Sequence, residues 1–306
     1  MEITVNDHLG WFNLPPHVRD AIAEQVGGTP KVHSVPAASG VFAARVYGCD
    51  EVYLKATPTS SPYAHLHKRE RWAARHLPAS APVPCKAWEL DCSGGKSSVW
   101  HVTAWDLIND YARPVDLQRA SSSDVPAVLD AVAELGKLLT PCPSGACTIV
   151  HRLNPLVAKA QVVLRMQPNA IFHRSLYDKA LNGFVIDRLN GPTLLHSNLS
   201  ARHLLIKGQV VSVVGWAQVC AGQAWIDPAL LAPHLIAGHW SPEEVHALLW
   251  AIPAWREAPP ELMAGMTALW TLFHLHQGHL LSQPHEGSVR LADAGREWLT
   301  YLVDQM

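Results

Sequence analysis

LLHSNLSARHLLIKGQVVSVVGWA, residues Leu194–Ala217, is the stretch that says most about the fold of this chain. Two apolar runs within it, Leu204–Ile206 and Val210–Val214, are separated by Lys207-Gly208-Gln209. Short β-rich runs on either side of a glycine-containing turn are typical of a β-hairpin. We therefore predict a hairpin here, preceded by a polar loop.

The hairpin lies in a part of the chain whose other patterns are helical. Apolar residues recur at helical spacing after Asp124, a predicted N-cap, and along Pro260–Leu281 and Ser288–Val303. Ser241–Glu244 has the N-cap serine, the first-turn proline and the N3 glutamate of a capping box. We predict a helical domain over residues 105–306 with one inserted hairpin.

Residues 1–104 have mostly strand patterns. One helix is expected at Ala64–His76, and it ends before a loop that contains three prolines. Strands are expected at four β-rich runs: Val41–Tyr47, Val52–Ala56, Ala87–Leu90 and Ser98–Ala104. The predicted architecture is α+β, with a small β-rich lobe over residues 1–104 and a larger helical lobe over residues 105–306.

A lysine and a glutamate in the first lobe are candidates for an ion pair. Lys55 lies near the end of a strand-like run, and Glu70 lies on the apolar stripe of the helix Ala64–His76. The neighbours of Glu70 at i−4 and i+4 are Leu66 and Ala74, so the helix itself offers no cation at these positions. A carboxylate is costly to bury alone, and Lys55 on the neighbouring strand can supply the partner. An exposed lysine and a solvated glutamate are the alternative.

The quoted stretch resembles the aminoglycoside phosphotransferase-like branch of the protein-kinase superfamily. That family has a His-x-Asp motif, an Asn five residues after the Asp, a hairpin, and then Asp-Trp. The features of this chain that match in order and spacing are the Lys55 strand, the Glu70 helix, Val102–Trp105, His196, the hairpin, Trp216 and Asp227. The resemblance covers roughly residues 30–290 and implies a two-lobed protein-kinase-like fold, with His196 and Asp227 in structural roles.

The same resemblance implies that the positions carrying the chemistry are degenerate. Asn198 stands where the family has its catalytic Asp, and a neutral amide does not take a proton near pH 7. His203 and Gly215 stand where the family has its two metal ligands. Imidazole suits zinc or copper better than magnesium, and glycine offers no side chain at all. We therefore expect no intact catalytic residue and no metal site.

Cofactor binding would use the first lobe. The resemblance implies that Lys55 and Glu70 hold nucleotide phosphates, as such a pair does in kinases. Ser39 and Gly40, in the position of a phosphate-covering turn, and Thr103 are further candidates. We expect no required cofactor, and at most a weak binding of ATP that does not depend on magnesium.

Two functions are compatible with this pattern. The first is a pseudokinase that acts as a binding or scaffolding subunit for a partner protein or peptide, by analogy with relatives that accompany peptide-modifying enzymes in natural-product biosynthesis. The alternative is a divergent ATP-dependent phosphotransferase acting on a small hydroxylated molecule such as an antibiotic. Whether the chain is an enzyme stays open here, and the absence of catalysis is the favoured hypothesis.

Composition and charge exclude several other classes. The 306 residues carry a net charge of −2 and are 48% apolar, which is too apolar for a disordered chain and not basic enough for a typical nucleic-acid binder. The first residues lack the apolar core of a signal peptide, the six cysteines form no Cys-x-x-Cys pair, and Val210–Ile226 is too polar to span a membrane. We expect a cytoplasmic protein with reduced thiols and with neither a membrane nor a nucleic-acid partner.

The chain contains 18 histidines, some of which lie close together in the sequence. His274, His276 and His279 lie close together, but the chain has no His-Glu-x-x-His signature, so zinc binding is not expected. His65 and His67 are two apart on a predicted helix and point in different directions. We expect both of these side chains to be solvated.

Overall fold

The computed structural model describes residues 9–37, 41–94, 99–108, 112–121, 123–166, 173–281 and 286–306. Contacts divide the chain into two compact units. The first contains the residues up to Ala79, Val83–Ala112 and Ser212–Gln218, and the second contains Ser80–Pro82, Arg113–Val211 and Val219–Met306. The sequence placed a boundary between residues 104 and 105, whereas the first unit extends to Ala112 and takes in a short segment near residue 215.

The first unit is built on a five-stranded antiparallel sheet. Its strands are β1 (Lys31–Ser34), β2 (Phe42–Tyr47), β3 (Glu51–Pro58), β4 (Lys86–Cys92) and β5 (Trp100–Asp106), in the order β1-β2-β3-β5-β4. The four strands expected from the sequence are confirmed, with ends that differ by a few residues. The edge strand β1 was not expected, because its four residues are mostly exposed and have no apolar alternation.

The two faces of this sheet have different chemistry. Phe42, Leu54, Val102 and their neighbours at alternate positions are fully buried in one apolar core, which also contains Val18 of helix α1 (Pro16–Gln25). Successive residues of a strand point to opposite faces, so Lys55 belongs to the other face. Helix α2 (Ala64–His76) has the bounds that the sequence predicted, and its Glu70 meets Lys55 on that second face.

The second unit is mainly helical. Its helices are α3 (Val125–Leu138), α4 (Ile149–Met166), α5 (Arg174–Leu181), α6 (Ile226–Ala237), α7 (Pro242–Leu249), α8 (Pro253–Arg256), α9 (Pro260–His279) and α10 (Glu286–Asp304). Helix α9 is apolar around most of its circumference and packs against α4, α5 and α10, as expected for the central helix of a bundle. The long helices predicted near residues 260–281 and 288–303 are confirmed.

Short strands interrupt these helices. They are β6 (Arg113–Pro114), β7 (Thr193–Leu195), β8 (Leu204–Lys207), β9 (Val210–Val213) and β10 (Cys220–Gly222). Strands β8 and β9 form the predicted hairpin, with β6 beside β8, and β7 pairs with β10 in an antiparallel ladder. The polar loop 196–203 therefore begins directly after β7, and α6 begins shortly after β10.

The two predicted helix caps have different outcomes. Ser241 caps α7 as expected, since its Oγ accepts from the Glu244 N–H at 3.2 Å while the Glu244 carboxylate accepts from the Ser241 N–H at 2.9 Å. Asp124 makes no capping bond to α3. Its carboxylate instead accepts two bonds from Arg113, at 2.6 and 2.9 Å, and one from the Asp116 N–H at 2.8 Å. Of the helices in the described ranges, none has the length and apolar character needed to cross a membrane.

Candidate functional site

Lys55 and Glu70 form an ion pair in the first unit. The Nζ atom of Lys55 donates to both carboxylate oxygens of Glu70, at 2.7 and 2.9 Å. Lys55 comes from β3 and Glu70 from α2, so a strand and the helix that covers it each contribute one partner. The side chains are 19% and 7% exposed, so the pair is shielded from water while the lysine keeps some access to it.

The surroundings of Lys55 favour its charged form. Burial lowers its pKa, but the Glu70 carboxylate more than offsets this, and the pKa is raised to about 12. The rings of Tyr53 and Trp105 lie 5.9 and 5.7 Å from Nζ, within the range of a cation–π contact. The lysine is thus a permanent cation at neutral pH, held at one carboxylate and two aromatic rings.

The other cofactor candidates of the first unit are placed differently. Thr103 lies directly opposite Lys55 in the β3–β5 ladder, but it is fully buried and its hydroxyl lies 3.2 Å from Nε2 of His67. Ser39 and Gly40 lie outside the described residues, so their assignment to a phosphate-covering turn stays a prediction.

Gly215 belongs to the first unit and has a left-handed backbone, with φ of 80°. Glycine adopts this conformation without steric cost. The next residue, Trp216, is 4% exposed and donates from Nε1 to the carbonyl of Val213 at 3.0 Å. The turn that contains Trp216 packs against α2. Position 215 is therefore a backbone turn beside an anchored tryptophan and contributes no ligand atom from a side chain.

In the second unit, Asp227 holds the polar loop. Its carboxylate accepts from the backbone N–H groups of His196 and Ser197, each at 2.8 Å. Ser197 has a positive φ of 56°, a conformation that is costly for a residue with a Cβ atom, and these two bonds help to keep it there. Burial raises the pKa of Asp227 to about 6, although both backbone bonds act to lower it.

Asn198 and His203 are engaged within this loop. The backbone N–H of Asn198 donates to Nδ1 of His196 at 3.3 Å. Nδ1 of His203 lies 3.0 Å from the Ser200 hydroxyl, and the rings of His196 and His203 are 5.2 Å apart. The polar side chains of loop 196–203 are one amide, two hydroxyls, two imidazoles and the guanidinium of Arg202.

These donors do not fit a magnesium ion. Magnesium prefers hard oxygen ligands in octahedral geometry. Asn198 offers an amide, His203 offers an imidazole, and Gly215 has no side chain. Over the parts of the chain that the structure describes, there is no group of three or more His, Cys, Asp or Glu residues that could hold a metal ion. In the first unit the Lys55–Glu70 ion pair is present, whereas positions 198, 203 and 215 carry no carboxylate.

Sequence reasoning missed the role of His67. The residue was expected to be solvated, but it is 3% exposed and lies between α2 and the sheet, whereas its neighbour His65 is exposed as expected. The signal that could have found it is spacing: His67 precedes Glu70 by three residues and therefore shares its helix face.

No protein-family model and no curated protein matches the sequence, but solved structures do. An aminoglycoside phosphotransferase from Alicyclobacillus acidocaldarius aligns over 100% of both chains with a TM-score of 0.59 and 11% identity. A thermostable mutant of the aminoglycoside phosphotransferase APH(4)-Ia, in complex with ADP and hygromycin B, aligns over 94% of this chain and 98% of its own, with a TM-score of 0.55 and 15% identity.

A choline/ethanolamine kinase family protein from Mesorhizobium loti is similar as well. It covers 93% of this chain and 94% of its own, with a TM-score of 0.54 and 14% identity. Sequence identity is low throughout, so these likenesses establish the fold. The chain has the α+β fold of the kinase-like phosphotransferases, with a β-sheet lobe and a helical lobe, as its sequence predicted.

Proposed function

We propose that this chain is a nucleotide-binding protein with the fold of the small-molecule phosphotransferases, in which magnesium-dependent phosphoryl transfer has been lost. One contrast supports the proposal. The Lys55–Glu70 ion pair is complete in the first unit. The three positions that would supply a base and metal ligands, Asn198, His203 and Gly215, contain no carboxylate.

Lys55 is the group that binds the nucleotide in this proposal. Its ammonium is protonated at neutral pH and can donate a charge-assisted hydrogen bond to a phosphate oxygen while Glu70 holds the other donors. Transfer also needs a cation that neutralises the charge developing on the phosphoryl group, and a base for the acceptor hydroxyl. Positions 198, 203 and 215 carry no carboxylate for either role, so we expect weak nucleotide binding that does not depend on magnesium.

A protein that binds a nucleotide without turning it over would act by binding a further molecule. The sequence suggested a partner protein or peptide, held by a pseudokinase subunit. The comparisons add no support for such a partner, because the similar structures are those of aminoglycoside and choline/ethanolamine kinase-type proteins.

The second candidate is a divergent ATP-dependent phosphotransferase acting on a small hydroxylated molecule. The comparisons favour this candidate over scaffolding, since the similar structures are those of phosphotransferases and a kinase family protein. It requires a substitute for the missing base. His203 is a chemically suitable group, because an imidazole takes a proton near neutral pH and its Nδ1 is already paired with the Ser200 hydroxyl.

Calorimetric titration with ATP, in magnesium and in EDTA, tests the first candidate. We expect binding in both buffers, weakened about tenfold or more by Lys55→Ala, because a hydrogen bond to a charged group contributes about 1.5–3 kcal/mol. Lys68→Ala is the matched control, since Lys68 is exposed on the same helix as Glu70. Equal effects of the two substitutions, or no binding of ATP by the wild type, would contradict the proposal.

Transfer assays distinguish the two candidates. The wild-type chain is incubated with ATP, magnesium or manganese, and a panel of aminoglycosides, amino alcohols and other hydroxylated compounds. Turnover that Lys55→Ala abolishes would overturn the first candidate and establish the second. If His203→Gln removes that turnover while ATP still binds, His203 is the substitute base.

A further inference from the structure

His67 lies against the two threonines that flank Lys55. Its Nε2 atom is 3.2 Å from the Thr103 hydroxyl, and its Nδ1 atom is 3.4 Å from the Thr57 hydroxyl. Thr103 is opposite Lys55 in the ladder, and Thr57 is two residues after Lys55 on the same face of β3. The imidazole of His67 therefore contacts β3 two residues after the lysine and β5 opposite the lysine.

The contact is compatible with a neutral ring. A neutral imidazole has one donor and one acceptor nitrogen, and a threonine hydroxyl can complement either of them. Burial lowers the pKa of His67 to about 3, assisted by the cations Lys55 and Arg71 and by His101, whose ring is stacked 6.4 Å away, and opposed by Asp91. The ring is thus neutral at physiological pH and can satisfy both threonines at once.

Few large apolar side chains fix the position of helix α2 along β3 and β5, although the turn that contains Trp216 also packs against the helix. Its buried residues are Ala64, His67, Glu70, Arg71 and Ala73, so the apolar members are only two alanines. Alanine methyl groups fill little volume and specify position along a surface weakly. Arg71 and Arg75 pair with Asp91 and Glu89 of the edge strand β4, and Arg71 also lies 2.7 Å from Nδ1 of His101 on β5.

We propose that His67 is a positioning residue for the Lys55–Glu70 pair. By bonding to Thr57 and Thr103, it fixes the register of α2 on the sheet so that Glu70, one turn later, stays within hydrogen-bond distance of Lys55. The consequence for nucleotide binding rests on the proposed function, whereas the consequence for the ion pair does not. In this proposal Thr103 helps to position the Lys55–Glu70 pair by bonding to His67, and it does not contact the nucleotide.

The titration midpoint of Lys55 reports directly on the ion pair. The Nζ resonance of Lys55, assigned with Lys55→Arg, is followed by ¹⁵N NMR as a function of pH in the full chain. In His67→Leu, which keeps the volume but loses both polar atoms, we expect the midpoint of Lys55 to fall by about one pH unit or more, as the carboxylate moves away from a buried ammonium. His67→Gln, with one donor and one acceptor, should restore most of the difference.

Controls separate positioning from general damage. His65→Leu changes an exposed histidine of the same helix and should leave the Lys55 midpoint unchanged. Thr103→Val removes one partner of His67 with almost no change of shape, so it provides the test if His67→Leu does not fold. An unchanged Lys55 midpoint in folded His67→Leu or in Thr103→Val would overturn the proposal.

ATP titration of the same variants then separates the two proposals. Affinity that falls with the Lys55 midpoint and recovers in His67→Gln supports both of them. If the midpoint falls while neither the wild type nor any variant binds ATP, His67 is a positioning residue and the proposed nucleotide-binding function is wrong.

Discussion

The carboxylate of Asp227 accepts a hydrogen bond of 2.8 Å from the backbone N–H of His196, 31 residues earlier in the chain. A second bond of the same length comes from Ser197. Together they tie the start of α6 to the polar loop after β7. The support of the loop is thus complete although Asn198, within it, has no capacity to act as a base.

Asp227→Asn should destabilise the second unit. The two backbone N–H groups donate to different carboxylate oxygens, and in a carboxamide one of these oxygens is replaced by an NH₂ donor, so one N–H group loses its acceptor. We expect the free energy of unfolding in urea to fall by about 1–3 kcal/mol. Asp187→Asn, at an exposed position, should change it by less than about 0.5 kcal/mol. Equal stabilities of the two variants would contradict this view of Asp227.

The pH dependence of stability gives a second test of Asp227. Its pKa is raised from 3.8 to about 6 in the folded chain. Between these values the folded state retains a proton that the unfolded state releases, so the contribution of this group to stability is present below pH 3.8 and is lost as the pH rises to about 6. Asp227→Asn should lack this decline, and an identical pH profile in both proteins would count against the assignment.

Breaking the Lys55–Glu70 pair from one side should cost more than removing both partners. Glu70→Leu leaves a shielded ammonium without its carboxylate, for which we expect a loss of about 1–3 kcal/mol after allowing for the exposure of the lysine. The double variant Lys55→Met/Glu70→Leu should be more stable than Glu70→Leu in urea unfolding. A cycle on the exposed pair Arg174–Asp178 should give a coupling below about 1 kcal/mol. If the Lys55–Glu70 and Arg174–Asp178 cycles gave the same coupling energy, burial would not strengthen the Lys55–Glu70 pair.

Restoring carboxylates should restore catalysis only in combination. We expect magnesium-dependent ATP hydrolysis from the triple variant Asn198→Asp/His203→Asn/Gly215→Asp and none from each single variant, because base and metal ligands act as a unit. At position 215 the left-handed φ of 80° makes the substitution cost about 1 kcal/mol, and Asp tolerates it better than most residues. Adding Lys55→Ala to the triple variant should abolish the hydrolysis. Turnover by the wild type at the level of the triple variant would refute the loss of function.

Acid should destabilise the first unit through His67. Its pKa is lowered from 6.5 to about 3 in the folded chain, so in this window the unfolded state binds a proton that the folded state does not. The contribution to stability is therefore present above pH 6.5 and is lost by about 1.4 kcal/mol for each pH unit as the pH falls. His67→Gln should remove this dependence in urea unfolding at several pH values, and an unchanged dependence would show that His67 is not its source.

Local patterns predicted the elements that carry the framework. The bounds of α2 follow from an apolar stripe and a proline-rich loop after it, and the hairpin follows from two β-rich runs around a glycine turn. The pairing of Lys55 with Glu70 followed from the cost of burying a carboxylate alone. Each of these inferences needs only neighbouring residues, or one charge that lacks a local partner.

Local patterns did not predict the contacts between residues that are distant in the sequence. Asp124 has the sequence context of an N-cap, but Arg113 and the Asp116 N–H compete for its carboxylate. The ladder between β7 and β10 joins residues that are 25 to 29 apart in strands of only three residues, too short for any periodicity. The two threonines that contact His67 come from β3 and β5, and nothing in the sequence around His67 points to them.

The segment Ser212–Gln218 belongs to the first unit although about a hundred residues of the second unit precede it. During synthesis at about 5–20 residues per second, the ribosome therefore completes β5 roughly 5–20 s before it releases the last piece of the same unit. Until then the side of α2 that packs against the turn of Trp216 lacks this contact. The nascent chain consequently presents an unfinished β-sheet unit for that interval, during which a chaperone could bind the uncovered side of α2.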